Sequence, residues 1–171
     1  MSDISIREEE PGDIQAVRAV NKSAFPTAAE AQLVDRLRAE LSDYISLVAV
    51  SEEQLVGHIF FTPVTISENP DHLKWAGLAP MAVAPDLQRR GIGSKLVRAG
   101  MKKAKDQGYD GVVVLGHTEY YPRFGFQPAS TFGLHSTFDV PDEAFMVKEL
   151  APGALRRISG LVTYHPFFEE L

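Results

Sequence analysis

The stretch that decides the fold is residues 85–95, PDLQRRGIGSK, which stands between a strand-like segment and a helix-like one. Gly91 and Gly93 allow a ligand to approach the backbone closely, and the first N–H groups of a helix favour an anion because they lack partners within the helix. The stretch therefore predicts a phosphate-binding turn. A glycine-containing turn that leaves Arg89 and Arg90 in solvent would give the same pattern.

Two common phosphate-binding motifs are excluded at this turn. A dinucleotide-binding fingerprint needs a third glycine where this chain has Leu96. A Walker loop needs two glycines separated by four residues and followed by lysine, and the stretch has no such spacing. The turn therefore points to a phosphate-containing ligand of another kind.

The spacing of apolar residues predicts strands and helices on both sides of this turn. The elements predicted before it begin with a strand around Ile4 and Ile6, a helix capped by Asp13 that ends before Pro26, and a helix opened by a capping box of Thr27 and Glu30. They continue with a hairpin of residues 45–50 and 55–66 and a strand over residues 74–83, in which Pro80 indicates a bulge or a splayed edge. The elements predicted after it are a helix from Gly93 to near Gly108 and a short buried strand over residues 112–115. A strand, a helix and a buried strand in succession imply a parallel crossover, and hence a mixed α/β or α+β fold.

Composition narrows the class of protein. The chain has 171 residues, of which 44% are hydrophobic, and this predicts one globular domain over residues 1–171. It contains no cysteine, which excludes thiolate catalysis and cysteine-ligated metals and favours a reducing compartment. Seventeen Lys and Arg against 23 Asp and Glu give a net charge of −6, which disfavours nucleic-acid binding. No apolar run is long enough to span a membrane and the N-terminus is acidic, so we expect a cytoplasmic protein.

These motifs and their order resemble the GNAT superfamily of acyl-CoA-dependent N-acetyltransferases. The family's pyrophosphate loop has the form Gln/Arg-x-x-Gly-x-Gly/Ala, and residues 88–93 (QRRGIG) match it throughout. Residues 120–126 (YYPRFGF) are similar to the family's Tyr-x-x-x-Gly-Phe element, on the helix after the fifth strand, with Tyr121 at its tyrosine. The resemblance covers about residues 3–150. The extension over residues 151–171 looks like the end of a subgroup of acetyltransferases whose substrates are mostly undefined.

The resemblance implies a central mixed sheet with a bulged fourth strand, flanked by helices. It also implies acetyl-CoA as the cosubstrate, an amine as the acceptor, and no metal. The pantetheine arm would bind the backbone of Met81 and Val83, and a bulge near Ala79 and Pro80 would separate the fourth strand from the fifth to admit it. The residues implied to contact the cosubstrate are Met81, Ala82, Val83, Gln88, Arg89, Arg90, Gly91, Ile92, Gly93, Ser94, Lys95 and Tyr121. Packing in the core is the alternative for Met81 and Val83.

Acyl transfer to an amine needs a stabilised oxyanion, a proton for the departing thiolate and a base for the amine. The resemblance places the N–H of Met81 at the thioester carbonyl. It makes Tyr121 the general acid, because a phenol stays protonated at neutral pH; a tyrosine packed on the sheet is the alternative. The base is left open among Glu30, His58 and His117, each of which also fits a structural role.

We therefore predict an N-acetyltransferase that moves the acetyl group of acetyl-CoA to a primary amine. Direct attack in a ternary complex is expected because no cysteine can carry the acyl group, and a Ser or Lys nucleophile is the alternative. Two alternatives are a non-catalytic sensor or partner module that binds CoA, and an unrelated protein that binds ATP or NAD more tightly than CoA. The aromatic C-terminus, with Tyr164, Phe167 and Phe168, fits either a homodimer surface or packing on its own core. Likewise, Trp75, Phe25 and Phe61 fit either an acceptor pocket or the core.

Overall fold

The computed structural model describes residues 3–171 as three α-helices and nine strands joined by turns and short 3-10 segments. Contacts group the chain into two compact units. Among the described residues, unit 1 contains 3–61, Pro80–Gly100 and Pro166–Leu171, and unit 2 contains Thr62–Ala79 and Met101–His165. The prediction of a single domain over residues 1–171 stays a prediction.

The helices and strands follow the predicted order. Their bounds are β1 Ile4–Glu8, α1 Ile14–Ala24, α2 Ala29–Glu40, β2 Ile45–Ser51, β3 Gln54–Glu68, β4 Trp75–Val83, α3 Ile92–Asp106, β5 Gly111–Leu115, β6 Gln127–Pro128, β7 Leu134–Ser136, β8 Phe145–Glu149 and β9 Ser159–Thr163. The strand, turn and helix that surround the glycines are thus β4, residues 84–91 and α3. None of the helices in residues 3–171 is both long and apolar enough to cross a membrane.

Unit 1 is built on an antiparallel arrangement of β1, β2 and the first half of β3. These strands supply buried apolar side chains such as Val48 and Ile59, each 0% exposed. Helices α1 and α2 bury the apolar faces that their spacing predicts, with Val17 and Leu37 among the least exposed residues. The unit therefore has its own apolar core.

Unit 2 contains the parallel strand pair. Residues 75–78 of β4 pair in parallel with residues 111–114 of β5, which is the pairing that a strand–helix–strand succession predicts. β5 pairs antiparallel with β8, and β8 pairs antiparallel with β6. Parallel and antiparallel pairs therefore occur together, which confirms the predicted mixed sheet and the α+β fold class.

Two predicted helix caps are wrong. The carboxylate of Asp13 makes no cap hydrogen bond to α1 and instead accepts two hydrogen bonds from the Arg7 guanidinium, at 2.7 and 3.0 Å. It also accepts the N–H of Glu10 at 2.7 Å, which closes the 3-10 turn before α1. The hydroxyl of Thr27 accepts the N–H of Ala29 at 3.2 Å, but Glu30 does not complete a capping box, because Ala28 is the residue that precedes α2.

Two further expectations change in detail. The element that carries Tyr121 is a 3-10 turn, Tyr121–Phe124, and not the expected helix; Pro122 at its second position and Gly125 at its end restrict it to one turn. The C-terminal aromatic residues Tyr164 and Phe168 pack on their own chain, each 5% exposed. The homodimer stays a prediction.

Candidate functional site

The glycine turn exposes its backbone. Gly91 has a φ of +85°, in the left-handed region that favours glycine, and a Cβ built on it would meet no protein atom within 4 Å. Arg89 also has a positive φ, 66°, which strains a residue with a Cβ. The protein's own packing therefore does not fill the space in front of Gly91, and a ligand can reach its backbone.

Hydrogen bonds and one buried side chain fix this turn in unit 1. The side-chain amide of Gln88 donates to the carbonyl of Val83 at 3.1 Å, and Ile92 is 3% exposed. The N–H of Lys95 donates to the carbonyl of Gly91 at 3.1 Å, which is the first hydrogen bond of α3. The first N–H groups of an α-helix lack partners within the helix, so the start of α3 is the positive end of its dipole.

The guanidinium groups of Arg89 and Arg90 add positive charge at this point. Both residues are exposed, and neither forms an ion pair with any residue that the structure describes. Lys95 is exposed on the first turn of α3. The predicted loop residues, 88–95, are therefore brought together as a basic turn with open backbone in front of it.

β4 leads into this turn and runs unbroken through Pro80. Ala82 is 2% exposed, whereas Met81 and Val83 are half-buried. The registered pairs between β4 and β5 end at Leu78 and Val114. The expected separation of the two strands near Ala79 and Pro80 stays a prediction, as does the role of the Met81 N–H.

Tyr121, in unit 2, opens the 3-10 turn that follows β5. It is 7% exposed, and its ring lies against Gly116, with the ring of Phe126 at a centroid distance of 5.7 Å. Its hydroxyl makes no hydrogen bond with residues 3–171. Burial, with a smaller contribution from Tyr120, raises the pKa of the Tyr121 phenol above its usual value. The side chain is therefore held rigidly and stays protonated across the physiological range.

His58, in β3, has the surroundings of a structural histidine. It is 0% exposed, and both ring nitrogens are engaged: Nδ1 lies 3.1 Å from the amide nitrogen of Asn21 and Nε2 lies 2.9 Å from the hydroxyl of Ser46. Since the Asn21 amide donates, Nδ1 accepts and Nε2 carries the proton, which assigns the neutral tautomer. Burial, assisted by the charge of Arg38, lowers the pKa of His58 to about 3. Such an imidazole does not take a proton at neutral pH.

The other two candidate bases differ in their surroundings. His117 is exposed, and its carbonyl accepts the N–H groups of Tyr120 and Tyr121 at 3.1 and 3.4 Å, so it starts the turn that carries the tyrosine. Glu30 lies in the first turn of α2 and is half-buried. Its Oε1 is buried and has no hydrogen-bond partner among residues 3–171. Glu30 therefore keeps an acceptor atom that the protein itself does not use.

The aromatic residues considered for an acceptor pocket are mostly in the core. Trp75 and Phe61 are each 1% exposed. The Trp75 indole covers Gly111 and the Phe61 ring covers Gly100, so closely that a Cβ at either glycine would overlap the ring. Phe25 is half-buried. Core packing thus accounts for Trp75 and Phe61.

Sequence reasoning missed two groups of residues. Asn21 and Ser46, which hold His58, gave no signal, because they are 37 and 12 residues away along the chain. Gly116, under the Tyr121 ring, carried a weak signal as the glycine directly after the buried strand. No group of three or more His, Asp or Glu side chains within residues 3–171 is placed to hold a metal ion, and the absence of a metal stays a prediction.

Three features together define the GNAT class of N-acetyltransferases. They are the glycine turn at the start of α3, the parallel crossover and the tyrosine turn after β5. Comparison with known proteins agrees: residues 5–129 match the family described as "Acetyltransferase (GNAT) domain". The chain therefore belongs to the GNAT acetyltransferase family and is an acyltransferase.

Relatives and solved structures extend the similarity over almost the whole chain. The chain is 37% identical over 166 residues to the Escherichia coli K12 protein named "Uncharacterized N-acetyltransferase YhbS", covering 96% of this chain and 98% of the relative. The crystal structure of Escherichia coli YhbS in complex with CoA has a TM-score of 0.92 at 35% identity, covering 99% of this chain and 93% of that one. A GNAT acetyltransferase from Brucella melitensis in complex with acetyl-CoA has a TM-score of 0.78 at 34% identity, covering 98% and 99%.

Proposed function

We propose that the protein transfers the acetyl group of acetyl-CoA to a primary amine by direct attack in a ternary complex. The observation that carries this proposal is the glycine turn, where the open backbone of Gly91 meets the positive end of α3. The two structural neighbours that hold CoA and acetyl-CoA support the choice of cosubstrate. When bound, acetyl-CoA supplies an acetyl group that its thioester already activates.

The basic turn binds the pyrophosphate in this proposal. The N–H groups at the start of α3 donate to phosphate oxygens, and Arg89 and Arg90 neutralise charge. The exposed Lys95 lies within the same helical turn and reaches toward a phosphate. Upstream, the backbone of Met81 and Val83 pairs with the pantetheine arm, and the N–H of Met81 stabilises the negative charge that develops on the carbonyl oxygen.

Glu30 and His117 are the remaining groups for the amine. An alkylamine is mostly protonated at neutral pH, so a base must take a proton before the nitrogen can attack. Glu30 accepts this proton from the amine in our proposal, directly or through water, because its buried Oε1 lacks a hydrogen-bond partner among residues 3–171. His117, exposed and three residues before Tyr120, is the second candidate.

Tyr121 acts on the leaving group. As the nitrogen forms the new C–N bond it loses its second proton, and as the C–S bond breaks the sulfur gains a negative charge and takes up this proton through water. The Tyr121 hydroxyl has no hydrogen bond to residues 3–171, so it can donate a hydrogen bond to the sulfur while the charge develops. Because burial raises the pKa of Tyr121, the phenol is always protonated but is a weak acid. Its contribution is therefore greatest as a hydrogen-bond donor to the departing sulfur.

The cosubstrate site is tested with two glycines that share one backbone conformation. Gly91 and Gly108 have φ of +85° and +87°, and a Cβ on either meets no protein atom within 4 Å. Tryptophan at either position brings similar strain, but only Gly91→Trp places an indole at the basic turn. We expect the CoA dissociation constant, measured by calorimetry, to rise at least tenfold for Gly91→Trp and to stay unchanged for Gly108→Trp. An unchanged affinity in both variants would contradict the phosphate-binding role.

The reaction is tested by the release of free CoA from acetyl-CoA with a panel of amines, amino acids and short peptides. We expect amine-dependent release with one chemical class of acceptor. Tyr121→Phe should lower kcat by about ten- to a hundredfold and leave CoA binding unchanged, since a hydrogen bond to a charged group contributes about 1.5–3 kcal/mol. If acetyl-CoA binds but no amine promotes release, the protein is a CoA-binding module and the proposed transfer is wrong.

A further inference from the structure

Unit 2 contains a cavity of about 270 Å³ that the proposed reaction does not use. Gly125, at the end of the Tyr121–Phe124 turn, and Lys148, on β8, form one part of its wall. Arg156 and Leu155, from the turn after β8, form another part, and Phe132 also lines the cavity. The residues of the glycine turn do not belong to this wall.

The charge of this cavity is unbalanced. Neither Lys148 nor Arg156 forms an ion pair or a side-chain hydrogen bond with any residue in the part of the chain that the structure describes. The acidic residue in the wall, Glu149, is already engaged: its two carboxylate oxygens accept the N–H groups of Gly153 and Leu155, each at 3.1 Å. Two cations thus face the cavity and one occupied carboxylate opposes them, in a chain whose net charge is −6.

The position of Lys148 is set by a glycine. A Cβ on Gly125 would lie 2.5 Å from the Lys148 Nζ, so the ammonium group rests directly against the backbone of that residue. Gly125 has a φ of +93°, which favours glycine for conformational reasons as well. The ammonium is thereby held at the wall of the cavity and not extended into solvent.

The other lining residues are the exposed Gln127 and three apolar residues. Val147 is 0% exposed, Leu155 is 9% exposed and Phe132 is half-buried. A cavity that combines an apolar wall with a few convergent charged groups is typical of a small-molecule site. Its volume accommodates one aromatic ring with a charged substituent.

We propose that this cavity binds a small organic anion, in which an oxyanion group on an apolar or aromatic body lies between Lys148 and Arg156. A carboxylate and a phosphate both offer the oxygens that an ammonium and a guanidinium recognise. The apolar body packs on Phe132 and Leu155. This site goes beyond acetyl transfer and does not depend on it.

The test is calorimetric titration of the full chain with four probes: benzoate, phenyl phosphate, acetate and inorganic phosphate. We expect benzoate or phenyl phosphate to bind with a Kd of about 1 mM or tighter. Whichever of the two binds more tightly identifies the oxyanion. The matching small ion, acetate or inorganic phosphate, should bind at least tenfold more weakly, because it lacks the apolar body.

Three variants assign the binding to this cavity. Lys148→Gln and Arg156→Gln should each raise the Kd of the aromatic probe at least tenfold, whereas Arg90→Gln, which removes a cation from the glycine turn, should not change it. The absence of binding to the wild-type chain, or equal Kd values in all variants, would overturn the proposal. A loss of binding in Arg90→Gln equal to that in Lys148→Gln would also overturn it, because the probe would then occupy the glycine turn. Thermal unfolding of each variant verifies that it is folded.

Discussion

Acid should destabilise this protein through one buried side chain, His58. In the folded chain its imidazole is 0% exposed and has a pKa lowered to about 3, first by burial and then by the charge of Arg38. In the unfolded chain the pKa returns to the ordinary value of 6.5. Between these two values the unfolded chain binds a proton that the folded chain does not. The free energy of unfolding therefore falls as the pH falls through this window.

The size of the effect follows from the two pKa values. At pH 7.5 the unfolded imidazole is mostly neutral, and His58 contributes almost no pH dependence. At pH 5 protonation stabilises the unfolded chain by about 2 kcal/mol, while the folded imidazole is still neutral. This loss is a large fraction of the 5–15 kcal/mol by which a typical domain is stable.

Urea denaturation at pH 7.5 and pH 5 measures this loss. The informative comparison is between the wild-type chain and His58→Gln, which removes the titrating ring but keeps an amide that can donate to Ser46. The variant should be less stable at pH 7.5, yet its free energy of unfolding should change less between the two pH values, by about 2 kcal/mol. His135→Gln is the matched control, because His135 is exposed on β7 and should leave the wild-type pH dependence unchanged.

Two results would refute this reasoning. The first is a pair of stability curves for the wild type and His58→Gln that run parallel from pH 7.5 to pH 5. The second is an NMR titration in which the His58 ring of the folded protein takes up its proton near pH 6.5. Either would mean that the hydrogen bonds from Asn21 and to Ser46 do not hold the neutral ring.

Two further predictions concern stability. Arg38→Met should lower the free energy of unfolding by about 3–5 kcal/mol, because it leaves the 6% exposed side chain of Glu9 without the guanidinium that binds it at 2.6 and 3.1 Å. Arg36→Met is the control in the same urea titration. It breaks an exposed ion pair with Glu170 and should cost no more than about 1 kcal/mol. Gly111→Ala should cost about 1–3 kcal/mol, because its Cβ would overlap the buried Trp75 indole; thermal unfolding and a change in tryptophan fluorescence would measure this, and an unchanged midpoint would contradict it.

Much of the fold was accessible from the sequence because its signals are local. The run VVVL gives β5, since a short β-branched segment without polar residues fits a strand buried on both faces. The amphipathic spacing after Gly93 gives α3, and the glycines between β4 and α3 give the turn. Each of these signals comes from neighbouring residues, and in this chain no tertiary contact overrides it.

The two errors have different physical causes. Asp13 has the right position for a helix cap, but the Arg7 guanidinium offers two charge-assisted hydrogen bonds that outweigh one bond to a backbone N–H. The tyrosine motif was expected on a helix, but a proline and a glycine within five residues limit it to a 3-10 turn. The sequence motif thus predicts correctly that Tyr121 follows β5, but it predicts a helix where the structure has a 3-10 turn.

The candidate bases show what only the structure adds. The sequence alone does not distinguish Glu30 from His58 as a candidate base, since each is a titratable residue on a predicted helix or strand. In the structure both nitrogens of His58 have partners, whereas the buried Oε1 of Glu30 has none among residues 3–171. Neutral side-chain atoms of Asn21, Thr62 and Trp75 are also buried without a hydrogen-bond partner among these residues. Burying a carboxylate without a partner costs far more free energy than burying an amide, a hydroxyl or an indole in the same way. An amine acceptor would supply the missing donor at Glu30, and the same contact would place its proton where the reaction must remove it.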